Sequence, residues 1–150
     1  MNIFVDADAC PNVIKEIIFR VAKRLKIKTI FFANHTLRLP PSPFIKFVQV
    51  EKGFDVADFE IEKRVEKGDL VITADIPLAD SVIDKNATAI NVRGMVYTKE
   101  NIKEKLAMRN LMDGLRGAGQ ITGGPPPLNK TDQQQFANAL DRFLAKNLKK

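Results

Sequence analysis

Cysteine is nearly absent from this chain: Cys10 stands alone among 150 residues. No disulfide can close within it, and none is needed, since a chain of this length buries roughly 70% of the surface its unfolded form exposes. That cysteine usage suits a reducing compartment. Histidine is equally scarce, with His35 alone, so the chain holds no His/Cys set of the kind zinc requires. Long apolar runs are missing as well. Nothing approaches the ~20 residues of a membrane span, and the start lacks the basic-then-apolar pattern of an export signal. The expectation is one soluble cytoplasmic domain over residues 1–150 with no membrane partner; homo-oligomerisation is left open.

Charge is present but uneven. Residues 1–98 carry 14 Lys+Arg against 13 Asp+Glu, and residues 99–150 carry 10 against 5. A basic second half would draw a polyanion; solvated lysines that keep the chain soluble explain the same count.

The order of the chain is strand, helix, strand. Ile3, Phe4 and Val5 run into Asp6 and Asp8, and Pro11 opens an amphipathic segment over residues 11–26 with Ile14, Ile17, Ile18, Val21 and Leu25 on one face. Residues 28–33 read as a second strand ending at Asn34 and His35. Prolines 40, 41 and 43 exclude helix from the connection that follows. Residues 47–50 form a third strand, 56–67 a helix stopped by Gly68, and 69–75 a fourth strand ending in Asp75. Pro77 opens the next helix, and residues 88–92 make a fifth strand. This rhythm implies right-handed crossovers and a three-layer α/β/α fold with a mainly parallel central sheet. Residues 1–95 form its core; 96–150 read as a C-terminal helical extension, with a helix over 98–115, a Gly/Pro loop over 117–127 and a last helix capped by Thr131 or Asp132.

Three strand or helix ends deliver carboxylates: Asp6 with Asp8, Asp55 with Asp58, and Asp75 with Asp80. In open α/β sheets, ligands bind outside the C-terminal ends of the strands. Two carboxylates ~4 Å apart repel by about 4 kcal/mol at an effective dielectric near 20, so a cluster needs retained protons or a cation. All-oxygen donors select Mg²⁺ or Mn²⁺. Several Asp around such an ion, without a covalent nucleophile, point to phosphodiester hydrolysis. Asp55 and Asp58 serve equally well as helix caps.

Five ordered motifs then carry a resemblance: Asp6-Ala7-Asp8-Ala9-Cys10-Pro11, Gly53-Phe54-Asp55-Val56-Ala57-Asp58, Thr73-Ala74-Asp75-Ile76-Pro77-Leu78-Ala79, Met108-Arg109 and Thr122-Gly123-Gly124-Pro125. Together they resemble the YaiI/YqxD family of bacterial proteins over nearly the whole chain. That family is in turn similar to PIN-like metal-dependent nucleases. The resemblance implies a PIN-like fold and an RNA or single-stranded nucleic-acid partner. It places Asp6, Asp75 and Asp80 in catalysis, with Asp8 added as the second acid at the end of the first strand, and Asp6, Asp58 (or Asp55), Asp75 and Asp80 around Mg²⁺ or Mn²⁺. Asn34, Thr73, Arg109, Thr122, Gly123 and Gly124 would then contact substrate. One departure is Gln133 after Asp132, where the family commonly has Arg.

Two other readings compete. Asp6 as nucleophile with Asp8 as general acid would make a phosphatase, although Ala9-Cys10 replaces the Thr or Val usual after the second Asp. A basic extension beside an acidic patch could instead form a nucleic-acid- or protein-binding module without turnover. Cys10 reads as a buried filler among acids, and His35 as a packed or surface histidine. Phe31, Phe32, Phe44, Phe47, Phe136 and Phe143 are spaced for the core.

Overall fold

The computed structural model describes residues 1–53, 56–117, 119 and 127–148, with Arg116 described by its backbone alone. Strands β1 (Ile3–Asp6), β2 (Thr29–Ala33), β3 (Ile45–Gln49), β4 (Leu70–Ile72), β5 (Thr88–Ile90) and β6 (Val96–Tyr97) form one sheet in the order β3-β2-β1-β4-β5-β6. All pairings are parallel except β5 with β6. Five helices cover it: α1 (Asn12–Leu25), α2 (Val56–Arg64), α3 (Ile76–Asp84), α4 (Ile102–Gly117) and α5 (Lys130–Asn147). The fold is α/β in three layers, as the strand–helix rhythm predicts. No helix among the described residues is long and apolar enough to cross a membrane.

Because side chains alternate across a strand, the central strands feed two cores. Ile3, Val5, Phe31, Leu70 and Ile72 meet α1 and α5 through Ile14, Ile18, Phe136 and Leu140. Phe4, Phe32, Val71 and Ala89 meet α2, α3 and α4 through Ile61, Leu78, Val82 and Ile102. β1 and β4 are buried throughout, which explains why they read as unbroken apolar runs and not as alternation.

Several boundaries differ from expectation for local reasons. The chain bends directly after β1 into a 3-10 turn, Ala7–Ala9, too short to show a period. The fourth strand ends at Ile72, before Thr73, because Thr73 and Asp75 turn to build the cap of α3. Leu25, expected on the buried stripe of α1, is exposed, while Phe19 and Ala22 are buried. The sheet continues past residue 95 into β6. Asn91 Oδ1 accepts from the N–H groups of Arg93 and Met95, and Gly94 sits at φ +89°, forming the reversal that makes β6 antiparallel. A Cβ on Gly94 would lie 2.5 Å from the carbonyl of Gln135, so α5 rests on the bare backbone of this turn. Asn129, not Thr131 or Asp132, caps α5. Its side chain accepts from the Asp132 N–H at 2.8 Å while Asp132 Oδ2 accepts from the Asn129 N–H at 3.1 Å. Asp132 also takes Arg93 Nη1 at 2.6 Å, tying the last helix to the hairpin.

Candidate functional site

β1 and β4 are neighbours, yet the chain leaves them in opposite directions. From β1 it crosses through α1 on one face to β2; from β4 it crosses through α3 on the other face to β5. The crevice between their C-terminal ends is the topological switch point, where ligands of open α/β sheets bind. Asp6 closes β1 and Thr73 follows β4, in register across the pair.

Thr73 joins two of the expected acids. Its Oγ1 donates to Asp6 Oδ2 at 3.0 Å and accepts the Asp75 N–H at 2.9 Å. Asp75 in turn caps α3, Oδ1 accepting the Leu78 N–H at 3.0 Å, with Pro77 inside the first turn. Asp6 is only 7% exposed. Its carboxyl is pushed up to about 6: burial raises it most, the Thr73 bond pulls it partly back, and the charges of Asp75 and Asp8 add to the rise. Among the described residues no Lys or Arg pairs with Asp6 or Asp75.

The remaining candidates surround this pair at different distances from it. Asp8 sits on the 3-10 turn, Oδ2 accepting the Asn34 N–H at 2.9 Å and Oδ1 lying 3.0 Å from His35 Nδ1. Asn34 thus contributes its backbone, linking the ends of β1 and β2. Asp58, Asp75 and Arg109 line one cleft of about 450 Å³ between α2, α3 and α4. Arg109 Nη1 also lies 3.5 Å from Asp113 Oδ2. Asp80, farther along α3, holds Lys103 Nζ at 2.8 Å, which raises the lysine's proton affinity. Among the described residues no three acidic, His or Cys side chains converge as a ready metal cage. Asp55, Thr122, Gly123 and Gly124 lie outside the described residues, as does most of the Gly/Pro loop.

Cys10 is buried and its thiol is pushed up to about 12, chiefly by burial, which removes it as a nucleophile near neutral pH. Sequence reasoning missed Glu62, Ser81 and the exposed Phe59 on the cleft wall. The spacing of Phe59 and Glu62 to Asp58, one and four residues along α2, was the available signal. It could be used only once Asp58 was known to face the cleft.

A mainly parallel α/β sheet whose switch point holds a buried carboxylate tied through Thr73 to the backbone of a second acid defines a class of proteins with an acidic centre at the strand ends. Within that class the chain belongs to the family described as "Uncharacterized BCR, YaiI/YqxD family", which matches residues 4–146. A UPF0178 protein of Colwellia psychrerythraea is 62% identical over 144 residues, covering 96% of this chain and 95% of the relative. One of Photobacterium profundum is 60% identical over 150 residues, covering 100% of both. No solved structure matches the chain.

Proposed function

We propose that the protein is a Mg²⁺- or Mn²⁺-dependent nuclease hydrolysing phosphodiester bonds in RNA or single-stranded nucleic acid. The observation that carries this reading is the buried Asp6 carboxyl at the switch point, pushed up to about 6 beside Asp75 and Asp8 without a paired Lys or Arg among the described residues. Such a place gains from a cation. The donors are oxygens, which fits a hard ion. Mg²⁺ commonly takes one or two carboxylates and keeps its other positions for water and substrate phosphate, so a pair suffices without a three-residue cage.

Asp6 and Asp75 would hold the ion. Asp8 and Asp58 would reach it through water, and Asp80 only by releasing Lys103. A bound divalent cation supplies a Lewis acid for a phosphodiester oxygen. Thr73 holds the Asp6 carboxylate against the backbone of Asp75, whose own carboxylate is held by the Leu78 N–H. Arg109 and Ser81, on the cleft wall beside Asp75, offer donors to a phosphate. The resemblance of the sequence motifs to PIN-like nucleases, which carry acids after an early and a later strand, leads to the same assignment.

The test is cleavage of end-labelled RNA with Mn²⁺ by the parent protein and by Asp6→Asn and Asp75→Asn. Each substitution is expected to slow cleavage by more than about 100-fold, beyond the 10–100-fold typical of partners outside the ligand shell. Cleavage by Asp6→Asn at the parent rate overturns the proposal.

A further inference from the structure

We propose that the groove between α1 and α5, with the hollow adjoining it, is a binding track for the sugar-phosphate backbone of single-stranded nucleic acid. It lies on the opposite side of the sheet from the α2–α4 cleft and uses neither the carboxylates nor a metal ion. It therefore stands or falls separately from the nuclease reading.

The distribution of paired and unpaired cations points there. Beside the acidic cleft, Lys63 and Arg64 pair with Glu60, Lys103 with Asp80, and Arg109 with Asp113. On the α1 side, Arg20, Lys23, Arg38 and Lys130 make no ion pair with any described residue, and only Arg24 meets a carboxylate, Asp141 at 3.3 Å. These five cations face two hollows. One, of about 610 Å³, has Arg20, Arg24 and Lys130 on its walls together with the amides of Gln133 and Gln134. The other, of about 350 Å³, has Arg20, Lys23 and Arg38. Arg20 lines both, so the two hollows adjoin at its side chain. Among the described residues, Asp141 and Glu16 are the only carboxylates lining them.

An elongated anion fits this shape better than a compact one or a plane. A lipid surface asks for a flat or convex face, whereas cations along two joined concavities suit a flexible strand with a charge on every unit. Three of the five cations are arginines, whose planar forks take phosphodiester oxygens two at a time. The Gln amides can donate to phosphate or sugar oxygens without reading base identity.

The experiment is fluorescence anisotropy of a fluorescein-labelled 20-nucleotide oligo(U) with the full chain in EDTA, where metal-dependent cleavage is silent. With about four phosphates neutralised, log affinity should fall with log salt at a slope near −3. Arg20→Glu with Lys23→Glu should weaken binding at least about 10-fold and reduce the slope to about −1.5. Arg38→Glu, alone on its loop, should act in the same direction, and Gln133→Arg should tighten binding. Each variant is first checked for an unchanged unfolding midpoint. Parent-like affinity in both charge-reversed proteins overturns the proposal. So does binding to phosphatidylserine vesicles, lost on the same substitutions, in a protein that ignores oligo(U). Cleavage assays answer separately: the track can hold RNA in a protein that never cuts it.

Discussion

On the α1/α5 side of the sheet, the last helix is fully packed and much of the charge is unpaired. Phe136, Leu140 and Leu144 of α5 are fully covered, α5 is capped at its start and pinned to the hairpin by Asp132, and Arg20, Lys23, Arg38 and Lys130 have no ionic partner among the described residues. On the α2–α4 side the reverse holds. α4 has Ile102 buried but Met108 and Leu111 exposed, Lys103 and Arg109 on it and Lys63 and Arg64 on α2 meet carboxylates, and a buried carboxyl sits at the crevice edge with its proton affinity raised. The contrast separates two tasks within one domain-sized chain. Stability is gathered where hydrocarbon is continuous, and unfavourable electrostatics are tolerated next to helices that pack less fully.

The contrast breaks most easily at Phe136. Phe136→Ala should lower unfolding free energy by about 3–5 kcal/mol, measured by urea denaturation. A loss near that of an exposed site such as Leu111 would mean the α5 side does not carry the stability. Next in size, and opposite in sign, is Asp6→Asn. Below about pH 4 the Asp6 carboxyl is protonated in both folded and unfolded chains. As pH rises, the unfolded chain releases its proton first, so the fold loses stability until the folded carboxyl titrates at about 6. The full loss is about 3 kcal/mol. Asp6→Asn removes this dependence, and at pH 8 it should be about 1–2 kcal/mol more stable than the parent. Denaturation at pH 4, 6 and 8 should show the two proteins diverging as pH rises. Parallel curves would show that burying the charge costs nothing. The smallest effect is at the cap: Asn129→Ala should cost about 1 kcal/mol without altering either charge pattern, read as a shift in the thermal midpoint.

Strand cores and their acidic ends were legible because buried parallel strands are unbroken apolar runs and an Asp at such a seam is costly. Thr73 was also visible as a hydroxyl two residues before Asp75. Its bond to Asp6, 67 positions away, depended on β1 and β4 being neighbours, which no local pattern encodes. β6 was hidden for a related reason: two residues show no period, and the Asn91–Gly94 turn chemistry before it was the cue. Counting charge by halves pointed to residues 99–150 as the basic region. Four of the five cations in the grooves come instead from residues 20–38, because pairing, not number, decides which charges remain available. Asp80 illustrates the same point from the acidic side, since its engagement by Lys103 joins α3 to α4.

The placement of α5 has a consequence for how the protein is made. Ile3 and Val5 leave the ribosome long before Phe136 and Leu140, which cover them. Domains fold as units while synthesis proceeds from the N-terminus, so one side of the nascent sheet remains oily and open until α5 has been made. A polypeptide cut short before residue 130 would keep that surface bare, a substrate for chaperones and proteases before it could be a working protein.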